Sequence, residues 1–300
     1  MTEAVTMTEA VTATRQYERV PESRRSTMTL HRDCSCGDYN PGPNVKFALV
    51  NGQRQEAQPN LSGKCPTCDH PMVAKCGEVR MWHWAHQGSR FCDPWWENET
   101  EWHRAWKGQF PVNWQEVVHQ TETGEKHISD VKTDRGWVIE FQHSYLKPEE
   151  RRSRDAFYPK LIWVVDGTRR KRDRAQLLNA WKEGVPAGAN SLVRRAFSDN
   201  SVLLREWAGS DAPIFFDLGE MQVLWWLFAK STDGPAYVSP YSRARFIESH
   251  RGGAPETARE FDEFVKDIPK LVGDYESYRR AQPLRRDPLQ PRTSRRRFRF

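Results

Sequence analysis

The sequence predicts an α/β protein: a mixed β-sheet flanked by helices and preceded by a small cysteine-rich β module. Three observations lead to this prediction. All six cysteines fall within residues 34–92, which sets that segment apart from the rest of the chain. The segment after it reads helix, three strands, helix, strand, helix, an order that places helices on both faces of a mixed sheet. Within it, residues 161–165 form a continuous apolar run, as expected of a buried central strand.

Composition limits the functions open to the chain. Its 300 residues can hold one large or two modest domains, and its formal charge of +6 favours a polyanionic partner without requiring one. No apolar run is long enough to span a membrane, and residues 1–12 lack the basic and apolar segments of a secretory signal. Cysteines clustered in this way indicate a metal site in a reducing compartment. We therefore expect a cytoplasmic protein with no membrane partner.

The pattern of composition divides the chain into five parts. They are a disordered segment (1–30), a zinc-ribbon-like β module (31–94), a core (95–185), a C-terminal β-hairpin and helix region (186–274) and a disordered Arg/Pro-rich tail (275–300). In the module, residues 46–50 and 53–57 flank Asn-Gly and predict a hairpin with a type I′ turn. Cys34 and Cys36 are spaced too closely for a standard zinc pair, so their role stays open.

A zinc site is predicted in the same module. Cys65-Pro-Thr-Cys68 is the knuckle half of a zinc ribbon. The remaining ligands should come from a second loop, where the candidates are His83, His86 and Cys92. Thiolate and imidazole ligands suit Zn²⁺ in a closed structural site, and the sequence leaves open which of the last three complete it. The alternative is a set of buried cysteines and core histidines without metal.

The first helix of the core is predicted over residues 95–110. Glu99, His103 and Lys107 are spaced four residues apart and would form one stripe of ionisable side chains along the helix, beside a face rich in tryptophan. The alternative interpretation of the stripe is an ordinary ladder of ion pairs along the helix.

Residues 126–146 predict a hairpin that brings two carboxylates together. A three-residue loop ending at Gly136 would place Asp130 opposite Glu140, with Gln142 on the same face. Like charges in direct cross-strand register repel, so a divalent metal ion or a shared proton is needed between them. The alternative is a solvent-exposed hairpin with acids on its wet face.

The next helix begins at Pro148, and basic residues follow on it and after the central strand. Eight are candidates for contacts with nucleic-acid phosphates: Arg151, Arg152, Arg154, Arg169, Arg170, Lys171, Arg172 and Arg174. The alternative for each is a solvated helix face. Farther on, residues 214–228 predict a second hairpin and residues 256–268 a terminal helix.

Several of these motifs, in this order, resemble the competence protein CoiA-like family over roughly residues 45–185. The residues that carry the resemblance are Cys65-Pro-Thr-Cys68, His83-Trp-Ala-His86, Glu99 with His103 and Lys107, His127-Ile-Ser-Asp130, Glu140-Phe-Gln142, Arg154 with Tyr158, and Trp163-Val-Val-Asp166. The resemblance implies a zinc-ribbon module joined to a restriction-endonuclease-like nuclease core of the PD-(D/E)xK type. Some members of the family are linked to uptake and recombination of transforming DNA.

The resemblance implies that Asp130, Glu140 and Glu99 bind Mg²⁺ or Mn²⁺ and that Gln142 positions a water for attack on a DNA phosphodiester. Glu-Phe-Gln replaces the Glu-x-Lys that is usual in the wider superfamily, so the position of a positive charge is vacant. His127, Lys107 and His103 are the local candidates to supply it.

The expected partner is DNA, single- or double-stranded, together with recombination or DNA-processing proteins. The competing hypothesis is a non-catalytic DNA-binding protein that uses the nuclease fold as a scaffold. RNA as the substrate is a third and weaker possibility.

Overall fold

Two β-sheets make up the fold seen in the computed structural model, which describes residues 45–88, 92–95, 97, 99–188, 192–228 and 235–282. The first is an antiparallel sheet of five short strands with the spatial order β2-β1-β3-β4-β5. Its strands are β1 (Phe47–Val50), β2 (Gln53–Glu56), β3 (Ser62–Lys64), β4 (Pro71–Lys75) and β5 (His83–His86). The predicted type I′ turn is confirmed, because Asn51 and Gly52 both have positive φ angles, of 52° and 78°.

The second sheet has nine strands with the order β10-β11-β14-β13-β12-β9-β8-β7-β6. The strands are β6 (Gln115–Gln120), β7 (Lys126–Lys132), β8 (Val138–Gln142), β9 (Leu161–Asp166), β10 (Val185–Pro186), β11 (Arg194–Phe197), β12 (Ile214–Asp217), β13 (Val223–Phe228) and β14 (Pro235–Ser242). β9 runs parallel to β8 on one side and to β12 on the other, and the other neighbours are antiparallel. β9 is buried along its whole length, as its continuous apolar run predicts.

Helices cover both faces of the large sheet. The helices are α1 (Glu101–Lys107), α2 (Pro148–Phe157), α3 (Asp173–Glu183), α4 (Val202–Trp207), α5 (Arg243–Arg251) and α6 (Pro255–Ala281). Alternate residues of β9 point to opposite faces: Trp163 packs in the core with Leu177 of α3, and Ile162 packs in the core with Phe246 of α5. The predicted α/β class, with a mixed sheet between helices and a small β module before it, is confirmed.

The C-terminal region continues the core sheet instead of forming a separate part. β12 pairs in parallel with β9, with Ile214 opposite Trp163, so the sheet crosses the predicted boundary at residue 186. α6 also runs to Ala281, past residue 275 where the tail was predicted to begin. Its apolar side chains, Phe261 and Ile268 among them, pack on the sheet, and the sequence-based prediction of disorder is wrong for residues 275–281.

Some predictions fall on residues outside the described ranges. These are the disorder of residues 1–30, the role of Cys34 and Cys36, and the arginine-rich tail from residue 283 onward. None of the helices in the described ranges is both long and apolar enough to cross a bilayer.

Candidate functional site

The N-terminal module gathers four metal-ligating side chains at one point. The ligand atoms of Cys65, Cys68, His86 and Cys92 all lie within 4.8 Å of one another. Cys65 Sγ is 3.6 Å from Cys92 Sγ, and Cys68 Sγ is 3.4 Å from His86 Nε2. Three thiolates and one imidazole form a typical structural Zn²⁺ set, so the cluster could hold an ion such as zinc.

His83, the fifth predicted ligand, is not part of this cluster. It begins β5 and His86 ends it, so the two are three residues apart on a strand whose side chains alternate between faces. They therefore point to opposite faces, and His83 Nδ1 lies 2.7 Å from the carbonyl oxygen of Met81. The sequence pattern His-x-x-His could not exclude His83, because the same spacing brings two side chains together on a helix.

The environment of the cluster favours deprotonation of one of its thiols, which metal binding requires. A hydrogen bond with Cys92 lowers the pKa of Cys65 to about 4, while the same contact and burial raise the pKa of Cys92. The contact therefore favours the thiolate at Cys65, which is the form of a cysteine side chain that binds metal.

Helix α1 is shorter than predicted, and its cap decides where Glu99 and His103 lie. Thr100 is the N-cap: its side chain accepts from His103 N, and Thr100 N donates to His103 Nδ1 at 3.3 Å. Glu99 therefore precedes the helix instead of sharing its stripe. It still reaches the far end of the helix, where its Oε1 is 2.5 Å from Lys107 Nζ. The alternative interpretation, a ladder of pairs along the helix, does not apply to Glu99, which lies outside the helix and pairs directly with Lys107.

The predicted hairpin is present, in the predicted register. Thr133 N donates to Trp137 O at 2.8 Å, Gly136 has a φ of 80°, and Val131 pairs with Ile139. One residue farther, the carboxylate of Asp130 interrupts the ladder of β7 and β8, since its Oδ2 accepts from Phe141 N at 2.9 Å. Asp130 is thus fixed at the point where the two strands part.

Glu140 is buried and only partly neutralised. Its Oε2 pairs with Arg154 Nη1 of α2 at 3.2 Å, while its Oε1 is buried with no hydrogen-bond partner among the described residues. Burial, together with the charge of Asp130, raises the pKa of Glu140 to about 8 despite Arg154. An orphaned carboxylate oxygen in this position calls for a proton or a cation.

Lys107 is a buried cation surrounded by carboxylates. Besides Glu99, its Nζ lies 2.8 Å from Glu116 Oε1 and 3.8 Å from Asp130 Oδ1. Burial lowers the pKa of Lys107, but Glu116, Asp130 and Glu99 outweigh it, and the net shift is upward. The side chain is therefore a permanent positive charge beside Asp130.

These groups line one cavity with the cysteine cluster, a recess with about 700 Å³ of empty space continuous with solvent. Its lining residues are Val45, Cys65, His86, Cys92, Asp93, Trp95, Glu97, Glu99, His103, Lys107, Glu116, Ile128, Asp130, Glu140, Phe141 and Arg154. Six of these carry carboxyl groups, whereas only Lys107 and Arg154 are permanent cations. Carboxyl groups therefore outnumber cations in the cavity, and three residues of the cysteine and histidine cluster form part of its wall.

The cavity does not contain a complete three-carboxylate metal group. Within the described ranges, the cysteine and histidine cluster is the one set of three or more candidate ligands whose atoms all meet within 4.8 Å. Glu99 is held by Lys107 and by Arg104 Nε, at 2.7 Å. It is therefore engaged in holding those two cations, and Asp130 and Glu140 remain as the pair that faces the open space.

Gln142 does not line the cavity. Its Nε2 donates to Glu97 Oε2 at 2.8 Å, and it is buried at the end of β8. Glu97 also lies 3.7 Å from His103 Nε2 and accepts from Ser144 N. Burial lowers the pKa of His103, while Glu97 and Asp130 raise it to a net upward shift. Gln142 and His103 thus both contact the carboxylate of Glu97 and help to hold it in place.

His127 lies behind the cavity wall. Its ring stacks on Trp95, with centroids 3.3 Å apart, and its nitrogens contact Asp93 and Glu125, each at 2.9 Å. Asp93 also accepts from Ile128 N at 2.9 Å. The structure therefore gives His127 a role in holding strand β7 and does not place it where it could contact a substrate.

The predicted phosphate-binding residues separate into two groups. Arg151 and Arg154 are buried: Arg151 donates to backbone carbonyls of Glu206 and Ala208, and Arg154 to Glu140 and Glu150. Arg170 is bound on both guanidinium edges by Glu206 and Asp173. The other five residues are half-buried or exposed: Arg152, Arg169, Lys171, Arg172 and Arg174. Arg151 and Arg154 are therefore structural ties of α2 and not part of an open basic face.

Three cavity carboxylates escaped sequence reasoning: Asp93, Glu97 and Glu116. Asp93 follows the candidate ligand Cys92, which is the one local signal that could have marked it. Glu97 meets Gln142 across 45 residues of sequence, and no spacing rule connects them. Glu116 lies in an ordinary strand pattern and adopts a φ of 48°, which turns its side chain toward the module.

A comparison with family models adds one match. Residues 53–94 match the model described as "Competence protein CoiA, N-terminal domain". The match supports the resemblance to the CoiA-like family. It covers strands β2 to β5 and the four clustered residues of the module, but neither β1 nor the large sheet. No curated protein matches the chain, and no solved structure does.

Proposed function

We propose that the protein is a metal-dependent nuclease that cleaves DNA phosphodiester bonds with Mg²⁺ or Mn²⁺ held by Asp130 and Glu140. The observation that carries the proposal is the buried, unpartnered Oε1 of Glu140 on a cavity lined by six carboxyl groups and two permanent cations. Mg²⁺ is commonly bound by one or two carboxylates and completed by substrate phosphate and water, so a pair of carboxylates suffices. Such an ion would polarise the scissile phosphate and lower the pKa of a bound water.

The protein's own residues would orient this pair and balance charge. Arg154 holds Glu140 by one oxygen and leaves the other free. Phe141 N holds Asp130 by its Oδ2. Lys107 would supply the positive charge that Gln142 cannot, because it lies 3.8 Å from Asp130 and lines the cavity. Glu99 and Glu116 would keep the ammonium in place instead of binding the catalytic ion.

We further propose zinc as the ion of the cysteine cluster and the cytoplasm as the place of action, where thiolates stay reduced. The similarity to the CoiA N-terminal domain supports a role in DNA processing or recombination, with proteins of those pathways as partners.

The test is cleavage of single-stranded and duplex DNA with added Mg²⁺ or Mn²⁺. Asp130→Asn and Glu140→Gln should each lower the cleavage rate by about 100-fold or more while DNA binding persists. Asp134→Asn, in the exposed turn of the same hairpin, is the matched control and should cleave normally. Full activity of Asp130→Asn would overturn the assignment of the site. Wild-type protein that is inert on every DNA form would overturn the nuclease proposal in favour of a DNA-binding protein.

A further inference from the structure

We propose that the cavity takes single-stranded DNA and not duplex DNA, and that Trp82 stacks on an unpaired base at its edge. The proposal deepens the proposed function, in that the bound strand is the one to be cut. It answers a question that the sequence leaves open, and it rests on the depth of the site and on one exposed aromatic side chain near it.

The carboxylate pair lies in a recess with walls on two sides. The side chain of Glu140 is 7% exposed and that of Asp130 is 22% exposed. The N-terminal module supplies one wall through Val45, Cys65 and His86, and helix α1 supplies another. A DNA duplex is stiff over about 150 base pairs and enters such a recess only at a cost in bending energy, whereas a flexible single strand does not bear this cost. We therefore expect the phosphate that reaches Glu140 to belong to an unpaired strand.

Trp82 stands at the entrance to β5 with an unusual degree of exposure. Its side chain is 47% exposed, and it is the one tryptophan in the described ranges that ranks among the exposed large apolar residues. Large aromatic side chains bury most of their surface unless they serve a contact. The Trp82 side chain faces solvent, whereas most tryptophans in the described ranges are buried in the core.

Two hydrogen bonds tie Trp82 to the cavity wall. Its backbone oxygen accepts from Arg104 Nη2, and Arg104 Nε donates to Glu99 Oε2 at 2.7 Å. The backbone of Trp82 is thus tied through Arg104 of α1 to Glu99, a residue that lines the cavity.

The surroundings of Trp82 suit a polyanion with exposed bases. Lys75 and Arg80 are exposed in the same segment and outnumber its one carboxylate, Glu78, and Arg104 donates to the Trp82 backbone. Cationic side chains beside an aromatic platform are the combination by which proteins bind single strands without reading sequence. Bases paired within a duplex present no free face to such a platform, so this contact also selects an unpaired strand.

The experiment measures binding without added divalent metal, by fluorescence anisotropy of one labelled oligonucleotide as a single strand and as a duplex. Single-stranded DNA should bind at least about tenfold more tightly at equal salt. Trp82→Ala should weaken that binding by about fivefold to a hundredfold, the range for losing one stacked base. Trp82→Phe should retain most of the affinity, and Val79→Ala, at a position 97% exposed in the same loop, is the matched control. Circular dichroism of each variant checks the fold.

Equal or tighter binding of the duplex would overturn the proposal, as would a Trp82→Ala variant that binds like wild type. Tighter binding of the same sequence as RNA would overturn the assignment to DNA. Because no cleavage is needed, the result is independent of the nuclease test. A protein that binds single strands through Trp82 but cuts nothing would keep this inference and lose the proposed activity.

Discussion

Single buried charges decide what the cavity can do. Lys107 satisfies Glu99 and Glu116 and still lies 3.8 Å from Asp130, so one ammonium organises three carboxylates. Arg154 does the same for Glu140 and Glu150. Removing either cation would leave buried carboxylates uncompensated, which typically costs about 3–5 kcal/mol. Loss of the proposed activity in such variants would coincide with loss of fold, so the carboxylates themselves are the residues to change.

A second residue-scale consequence concerns pH. Burial against Trp137 and Phe261 lowers the pKa of His250 to about 4, despite a contact of its Nδ1 with Phe246 O. In the unfolded chain His250 binds a proton near pH 6.5, whereas in the folded chain it stays neutral until the pH approaches 4. Its contribution to the free energy of unfolding is therefore complete above pH 6.5 and is lost as the pH falls toward 4. Between about pH 7 and pH 5 the wild type should lose about 2 kcal/mol from this group alone.

His250→Phe removes the titrating group and keeps an apolar ring. Denaturant unfolding at the two pH values should show a smaller loss for this variant than for wild type. Ser249→Ala, a buried neighbour on the same helix without a titrating group, is the control and should follow the wild type. Equal pH dependence of His250→Phe and wild type would contradict the assignment.

At the scale of elements, the alternation of side chains along strand β5 determines which histidine can bind metal. His86 points toward the cysteines, and His83 lies on the other face of the strand. We expect wild-type protein to carry about one zinc per chain and His86→Asn to lose most of it, since a four-ligand site then keeps three. His83→Asn is the matched control and should keep the metal.

Elemental analysis of protein purified without chelator measures both variants. The module should also unfold at lower temperature in His86→Asn, because metal binding and folding are coupled. Zinc that disappears with His83 and stays with His86 would show that the ligand set is wrong.

Elements with strong local signals could be predicted from sequence. The Asn51-Gly52 turn, the hairpin at Gly136 and the buried strand β9 all follow from turn chemistry and periodicity. The start of α1 could not, because the tryptophan-rich periodicity extends beyond the cap at Thr100. For the site, Asp130 and Glu140 follow from hairpin register, whereas Glu97 meets Gln142 through tertiary packing, which leaves no periodic trace.

At the scale of the whole molecule, two buried carboxylates join the N-terminal module to the large sheet. Asp93 follows the zinc-type ligand Cys92 and holds Ile128 N of β7 at 2.9 Å. Glu116 of β6 reaches the other way and accepts from Lys46 N and Phe47 N at the start of β1. Asp93 and Glu116 both line the cavity, so its walls keep their spacing only while the N-terminal module stays docked on the large sheet.

Glu116→Gln tests this docking. The substitution replaces one acceptor oxygen by an amide that donates, and it faces two backbone N–H groups and Lys107, which are donors too. We expect a loss of about 1–3 kcal/mol in unfolding free energy, the usual cost of leaving buried donors unsatisfied. The loss should be concentrated in the module: amide hydrogens of β1 and β2 should exchange faster while those of β9 stay protected. Glu122→Gln, exposed at the β6–β7 turn, is the control and should leave both unchanged. Uniformly faster exchange across β1 and β9 would show that the two sheets unfold as one unit, whereas unchanged exchange in β1 would show that Glu116 does not hold the module.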